Sequence, residues 1–450
     1  ELTPTNQGGK RTLGLARDQY ACCCTCTHAR THYLRDKMAE ETPDAELRDG
    51  PRQDLHSLRA RDPALDALSD AIQRSAATQA AATFGAAADD LASLRALLGD
   101  AKTPVLITGS AGYLGVALYL ALQKLNIAVI GIDIVPGPTV DEIASVADAE
   151  ALKRCGEACG AVLHCAALHA PHALSWHARE FFATNVDGTD NVLALRLPTV
   201  HTSTTSLTIT GRVKAREKAG ELVWLDGRAQ RPDLLAADDE APYDPSLDAP
   251  RNKYGRTKLE GEQRCLAAAR GGADVVVLRA PRFFPEDVLE ESSLPLPNLK
   301  ANELLGRRCA LVDLVEAELR ALARVHTIRG AVLTLAAPWP PLMMPPPNPA
   351  FSSPAPSNDS AREAAARLMA RYPHAERLYA QHGWRLPEAI TRVYDSEAAA
   401  KALGWRPRVT FEAMLRAMAQ QAEEGAGGGG GGGGDGETAR DEGSVPRKLP

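Results

Sequence analysis

The chain has 450 residues, 44% of them hydrophobic, and a formal net charge of −6 with acids and bases intermixed. This predicts a globular protein of two or three domains, or one large α/β domain with appendages. The charge pattern excludes a nucleic-acid footprint, and no apolar run reaches the roughly 18 residues of a membrane span, so we predict neither partner.

The N-terminal region lacks the periodicity of a folded domain. We interpret residues 1–60 as a loose or disordered extension. They hold as many acids as bases and no apolar signal segment, which predicts a cytoplasmic location. The alternative is an organelle signal upstream of Glu1, since the chain has no initiator Met. The cysteine cluster Cys22–Cys26 has no second ligand pair, so we predict no metal there.

Helical and strand patterns follow in order. Residues 62–99 contain helix formers with apolar residues at spacings of three and four, which predicts a helical lead-in. A short strand is predicted at Val105–Thr108, then a glycine turn, a helix over Tyr113–Lys124 and a second strand that ends at Asp133. A strand, turn, helix and strand within about 30 residues form the βαβ unit.

Further strands are predicted at 161–167, 199–207, 274–280 and 331–337, with helical segments between most of them. This alternation predicts an α/β protein with a Rossmann-type, doubly wound parallel sheet. We assign it residues 102–337. A proline-rich connection (338–360), a small C-terminal helical part on the substrate side (361–424) and a glycine-rich disordered tail (425–450) are predicted to follow.

The glycine turn predicts a dinucleotide site. Gly109, Gly112 and Gly115 form the pattern G-x-x-G-x-x-G directly between a strand and a helix. Glycines there let backbone N–H groups approach a pyrophosphate at the helix N-terminus. Asp133 is placed to accept hydrogen bonds from ribose hydroxyls. Its carboxylate would repel a 2′-phosphate, so the pattern favours NAD over NADP.

Seven segments in order resemble one family, the extended short-chain dehydrogenase/reductases, also described as NAD-dependent epimerase/dehydratases. They span most of residues 103–415 and read ITGSAGYLG, AVLHCAAL, NVDGTDNVL, TSTTSL, YGRTK, VVVLRAPRFFP and VYDSEAAAKALGWRPRVTFEAML. The resemblance implies NAD as cofactor. It assigns to the cofactor site Gly109, Gly112, Tyr113, Leu114, Gly115, Asp133, Ala166, Ala167, Asn185, Tyr254 and Lys258.

The resemblance also implies the catalytic residues. Tyr254 and Lys258 lie four residues apart, on one face of a predicted helix. Tyr254 would exchange a proton with a substrate hydroxyl, and the Lys258 ammonium would lower the pKa of that phenol and hold the nicotinamide ribose. Thr204 is the best match for the hydroxyl residue that binds the substrate oxygen. Ser203 and Thr205 are the runners-up.

Three features depart from the family pattern. Ser145 replaces the first acid of an expected Asp-x-x-Asp, which leaves only Asp148. Eight residues, including Pro198, separate NVL (191–193) from TSTTSL. This short 191–203 segment would favour impaired catalysis. Arg282 occupies a loop position where many nucleotide-sugar members carry Asn, and it would either bind a substrate phosphate or carboxylate or form a surface ion pair.

We therefore predict an NAD-dependent epimerase or dehydratase that transfers hydride reversibly on a nucleotide-sugar or similar hydroxylated substrate. A net NAD(P)-dependent oxidoreductase on a sterol-like or aldehyde/ketone substrate is one alternative. A non-catalytic NAD-binding regulatory protein is another. The predicted partner is a small molecule. The family often forms homodimers, a state that the sequence leaves open. The histidines near the site lack Cys, Asp or Glu partners at ligand spacing, so we predict no metal.

Overall fold

Strands and helices alternate through the part of the chain that the computed structural model describes, residues 88–98, 103–169, 176–226, 245–283, 296–340 and 360–427. The strands are β1 (Val105–Thr108), β2 (Val129–Asp133), β3 (Glu142–Ile143), β4 (Ala161–His164), β5 (Thr199–Thr204), β6 (Val223–Asp226), β7 (Val275–Ala280), β8 (Val332–Thr334) and β9 (Arg392–Asp395). The predicted extension 1–60 with Cys22–Cys26, most of the proline-rich connection and the tail beyond residue 427 lie outside this part.

The helices form around the predicted apolar periodicities. They are α1 (Ala88–Leu98), α2 (Tyr113–Lys124), α3 (Ala149–Gly156), α4 (Ala178–Phe182), α5 (Gly188–Ala194), α6 (Gly211–Lys218), α7 (Pro245–Asp248), α8 (Lys253–Arg270), α9 (Leu296–Glu303), α10 (Leu311–Ala323), α11 (Ala361–Arg371), α12 (Ala375–Gln381), α13 (Glu397–Leu403) and α14 (Phe411–Gly427). A π-helical segment (Ala183–Asp187) joins α4 to α5, and a 3₁₀ turn (Thr205–Thr208) follows β5.

The larger sheet has seven parallel strands in the order β3-β2-β1-β4-β5-β7-β8. The chain starts at β1 in the middle, adds β2 and β3 on one side and then returns to add the remaining strands on the other side of β1. This is the doubly wound Rossmann arrangement, and it confirms the predicted fold class. In sheets of this kind ligands bind at the carboxyl ends of the strands beside that reversal, here β1 and β4.

Helices cover both faces of the sheet because successive strand side chains point to opposite sides. On one face, Val200 of β5 and Leu278 of β7 share a buried core with α1, α2 and α10. On the other face, Leu106 of β1 packs with α3 and α5, and Val277 of β7 packs against α8. Burial on both faces explains why these strands read as continuous apolar runs.

The short connection before β5 does not interrupt the sheet. The chain turns between α5 and β5 with Arg196 at φ 57°, and the Pro198 carbonyl accepts a 2.8 Å hydrogen bond from the Val162 backbone. All six residues of β5 pair with β7, and Thr199, Val200 and His201 also pair with β4. The deletion expected in segment 191–203 is therefore absorbed by the turn, and the strand keeps its register.

A smaller part packs beside the sheet. β6 and β9 form a two-stranded parallel sheet, and the helices α11, α12 and α14 contribute to a separate apolar cluster with residues such as Trp224, Tyr379 and Phe411. Within the described residues, no helix combines the length and the apolar character that crossing a bilayer requires.

Candidate active site

The glycine turn after β1 is packed too closely for side chains. Gly109 has φ +73°, and a Cβ there would lie 2.7 Å from the Ala166 backbone nitrogen. A Cβ on Gly115 would lie 2.1 Å from the Gly109 carbonyl oxygen. The turn therefore lies directly against the end of β4 and against the first turn of α2, which places Gly109 and Ala166 side by side as the cofactor-site prediction requires.

The N-terminus of α2 suits an anion. The helix begins at Tyr113, its N-cap Gly112 is exposed, no side chain caps it, and no acid lies in its first turn. Backbone N–H groups at such an end carry partial positive charge, which attracts phosphate. Leu114 and Gly115 are buried and hold this helix end on the sheet.

Asp133 lies beside the turn, at the end of β2. Its carboxylate accepts hydrogen bonds from the backbone N–H groups of Ala111 (3.0 Å) and Val135 (2.9 Å). Burial raises the pKa of Asp133, and these N–H groups oppose that effect. Each carboxylate oxygen has two lone pairs, so both oxygens keep a position for a ligand hydroxyl.

Tyr254 lies in the first turn of α8, which the Asn252 side chain caps by accepting from the Gly255 N–H at 2.9 Å. Burial raises the pKa of Tyr254 to about 12, and a hydrogen bond with the Thr204 side chain opposes the rise. The sequence analysis expects Lys258 to lower this pKa. In the structure desolvation outweighs that influence, because the Lys258 ammonium is bonded to strand β5.

Lys258 extends from α8 into the sheet and is 2% exposed. Its Nζ donates to the Thr202 carbonyl at 2.7 Å and lies 3.2 Å from His201 Nε2. An ammonium carries three donors, so these two contacts leave a third for a ligand. Burial lowers the pKa of Lys258 to about 8, and nearby acids, among them Glu262 and Glu318, oppose the shift.

Two histidines belong to the site more closely than the sequence analysis indicates. The rings of His164 and His201 lie 5.0 Å apart, and His164 contacts the hydroxyls of Thr108 (2.7 Å) and Thr189 (3.0 Å). Burial, followed by the charge of Lys258, lowers the pKa of both, that of His164 to about 3. They are therefore neutral. The position of His201 on β5, beside the strand's hydroxyl residues, was the signal available in the sequence.

Asn185 lies in the π-helical segment and is 1% exposed. Its amide binds the Leu168 backbone, accepting from the N–H at 2.8 Å and donating to the carbonyl at 2.9 Å, and it also donates to Thr257 Oγ1 at 3.0 Å. The residue thus ties the segment after Ala166 and Ala167 to α8. This contact fixes one wall of the predicted cofactor site.

The remaining candidate residues occupy distinct positions. Thr204 ends β5, and its hydroxyl also accepts from the Ser206 N–H at 3.1 Å. Ser203 is buried, and its hydroxyl has no hydrogen-bond partner among the described residues. Thr205 is buried in the 3₁₀ turn. Arg282 follows β7 and forms a 2.5 Å ion pair with Glu303, which is the alternative role that the sequence analysis names.

Potential metal ligands do not converge in the described residues. No group of three or more His, Cys, Asp or Glu side chains in this part of the chain could hold an ion. The polar groups at the site are therefore hydroxyls, an ammonium, neutral imidazoles and a carboxylate, which are suited to binding hydroxyls and phosphates and to moving protons.

Residues 105–293 match the model of the NAD dependent epimerase/dehydratase family. The resemblance that the motifs predict is confirmed over these residues. This stretch contains the glycine turn, Asp133, Thr204, Tyr254 and Lys258. No curated protein matches the chain.

Several solved structures are similar. A short-chain dehydrogenase/reductase superfamily protein from Agrobacterium tumefaciens with bound NAD is 21% identical, over 72% of this chain and 98% of that one, with a TM-score of 0.46. A UDP-galactose 4-epimerase is 19% identical over 72% and 99%, with a TM-score of 0.42. MoeE5 in complex with UDP-glucose and NAD is 19% identical over 71% and 99%, with a TM-score of 0.42.

Proposed function

We propose that the chain binds NAD and catalyses epimerisation or dehydration of a nucleotide-sugar or similar polyhydroxylated substrate by reversible hydride transfer. The observation that carries the proposal is the convergence of Thr204, Tyr254 and Lys258 on β5. β5 lies two strands from the glycine turn after β1. With strands about 4.8 Å apart, this span is roughly 10 Å, which one dinucleotide can cover.

The residues around the glycine turn fit the adenosine diphosphate half of NAD. The absence of side chains at Gly109 and Gly115 lets the backbone approach a pyrophosphate, and the uncapped start of α2 attracts its charge. Asp133 would accept hydrogen bonds from the adenosine ribose hydroxyls. Its negative charge disfavours a 2′-phosphate, which supports NAD over NADP.

The residues at β4 and β5 fit the nicotinamide half. The backbone at Ala166 and Ala167 would line the ribose, and the third N–H of the Lys258 ammonium would donate to the ribose hydroxyls. When bound, oxidised nicotinamide supplies a hydride acceptor and a positive charge that favours a phenolate nearby. Asn185 keeps the segment after Ala166 in place through its contacts with Leu168.

Tyr254 would move the proton. Its hydroxyl is already hydrogen-bonded with the Thr204 side chain, so one substrate oxygen can contact both groups. Tyr254 would remove the proton of the substrate hydroxyl as the carbinol carbon loses hydride, and would return a proton in the reverse step. Thr204 would hold the oxygen in the correct direction. In an epimerase the hydride returns to the opposite face of the sugar, and NAD is not consumed.

Arg282 supports an anionic substrate. More than half of its side chain is exposed, and its partner Glu303 is buried and fixes one edge of the guanidinium. The remaining N–H donors of a guanidinium can bind a phosphate or a carboxylate in a bidentate way. We therefore place the charged part of the substrate near the end of β7.

The experiment is a panel of nucleotide-sugars incubated with the purified full chain and NAD, with products identified by NMR and mass spectrometry. An isomerised sugar indicates an epimerase, and loss of water indicates a dehydratase. Steady accumulation of reduced nicotinamide supports the net oxidoreductase instead. NAD binding without turnover on any member supports the non-catalytic alternative, and absence of NAD binding contradicts the proposal as a whole.

A further inference from the structure

Glu318 of α10 is a buried carboxylate that the proposed mechanism does not use. The residue is 0% exposed. Its Oε1 accepts a 2.7 Å hydrogen bond from the Thr202 hydroxyl, and its Oε2 has no hydrogen-bond partner among the described residues. A buried carboxylate is costly unless it is paired, so a side chain of this kind calls for a specific role.

Other buried carboxylates nearby have cationic partners. Glu262 of α8 forms a two-point ion pair with Arg279, with contacts of 2.7 and 3.0 Å. Glu316, two residues before Glu318, contacts Arg320 at 2.9 Å and Arg408 at 3.3 Å. Within the described residues, Glu318 forms no such ion pair. The cation whose charge acts on it is Lys258, on the opposite face of β5.

Thr202 connects the two charges through the sheet. Its side chain points to the face that α10 covers, where it donates to Glu318. Its carbonyl accepts from Lys258 Nζ at 2.7 Å. Its hydroxyl also lies 3.4 Å from the Cys165 thiol, in the segment between β4 and Ala166. One residue of β5 thus contacts the carboxylate, the ammonium and the strand end that lines the cofactor site.

We propose that Glu318 is a positioning residue: through Thr202 it holds β5 in place and supplies the negative charge that keeps the Lys258 ammonium charged for cofactor binding. This inference rests on the proposed function, since it assigns Glu318 an effect on NAD binding. Glu318 touches neither substrate nor cofactor, so it acts only through Thr202 and Lys258.

Several titratable groups surround Lys258, and they differ in where they titrate. The groups on β4, β5, α8 and α10 and after β4 are His164, His201, Tyr254, Glu262, Cys265, Glu318 and Cys165. Burial lowers the pKa of both histidines and raises that of Tyr254 to about 12 and those of both thiols. Between about pH 6 and pH 9 the changing charges are therefore those of Glu318, with a pKa raised to about 7, and Lys258, with a pKa of about 8.

The test is the affinity for NAD, measured by calorimetry across this pH range. In the wild type we expect affinity to fall as Lys258 loses its proton near pH 8. Glu318→Gln keeps the shape and the acceptor for Thr202 but removes the charge. It should move the midpoint to lower pH by about half a unit to one unit, which weakens binding roughly 3–10-fold near the wild-type midpoint.

Two control variants give the result its meaning. Glu316→Gln removes a buried carboxylate from the same helix, but one paired with arginines, so it should lower stability and leave the midpoint unchanged. Lys258→Met should bind weakly with no midpoint near pH 8, which isolates the pH dependence due to other groups. A structural role for Glu318 alone predicts a lower melting temperature and a wild-type midpoint, and that result would overturn the inference.

A second variant covers the case in which Glu318→Gln does not fold. Thr202→Val keeps the strand shape and the carbonyl but removes the hydroxyl that joins the charges. A midpoint shifted in the same direction supports the inference, and a wild-type midpoint overturns it. If the wild type itself does not bind NAD, the proposed function fails and this inference fails with it. Tight wild-type binding with unshifted variants removes only the role of Glu318.

Discussion

At the scale of single residues, the site combines groups whose burial opposes their charge. Lys258 is buried among neutral histidines, and Tyr254 has a pKa raised to about 12. Side chains held this way cost folding free energy, and such perturbation is concentrated at functional sites. The sequence identifies Tyr254 and Lys258 from spacing and order alone. It does not reveal the contact of Lys258 with His201, since that contact depends on which face of β5 each side chain takes.

Asp133 should set the preference between the two nicotinamide cofactors. Asp133→Ala should reduce the ratio of NAD to NADP affinity by roughly 10–100-fold, because it removes charge-assisted hydrogen bonds worth about 1.5–3 kcal/mol and a charge that repels the 2′-phosphate. Calorimetric titration with both cofactors measures the ratio. The matched control is Asp141→Asn: Asp141 accepts from the Gly131 N–H at 2.8 Å and should leave the preference unchanged. Wild-type preference in Asp133→Ala would remove the residue from the site.

At the scale of elements, patterns within the chain predicted what depends on neighbouring residues. β1 and α2 lie where the apolar run and the helical periodicity place them. The predicted strand 199–207 ends earlier, at Thr204, because the Thr204 side chain caps the 3₁₀ turn that follows. β6 and β9 were not predicted. Each has four residues, and they pair across more than 160 positions, a partnership that no local pattern encodes.

The contact between the glycine turn and α2 gives a prediction for that element. Gly115→Ala puts a Cβ 2.1 Å from the Gly109 carbonyl, so the turn must shift. We expect a loss of stability of about 1–3 kcal/mol and a strong loss of NAD affinity. Urea unfolding and calorimetry measure the two effects.

Gly272→Ala is the control for that variant. It meets nothing within 4 Å but has φ +97°, so it should cost on the order of 1 kcal/mol through backbone strain and leave NAD affinity intact. If Gly115→Ala binds NAD as well as Gly272→Ala does, the turn is not the pyrophosphate site.

At the scale of the whole molecule, the buried charges make stability depend on pH. The pKa of Lys258 is about 8 in the folded chain and near its ordinary 10.5 when unfolded, so the unfolded chain binds the extra proton between these values. Stability from this group therefore rises with pH in that window. The pKa of Glu318 is raised from 4.5 to about 7, so its contribution falls as pH rises between those values. The pair costs most near neutral pH.

Removal of the buried ammonium should stabilise the fold near neutral pH. We expect Lys258→Met to raise the free energy of unfolding at pH 7 by on the order of 1–3 kcal/mol, with the gain shrinking towards pH 10.5. Urea unfolding over a pH series measures it. Lys401→Met, at a side chain that is 70% exposed, is the control and should change little. A variant at position 258 that is less stable than the wild type throughout would mean that Lys258 serves the fold rather than the site.

The most direct measurement of the central claim compares wild type with Tyr254→Phe for turnover and NAD affinity on whichever member of the substrate panel is converted. The substitution keeps the ring and removes only the hydroxyl that would carry the proton. We predict a loss of turnover of roughly 10²–10⁴-fold, the usual contribution of a positioned acid–base group, with little change in NAD affinity. Wild-type turnover in Tyr254→Phe would contradict the mechanism and leave the fold as described.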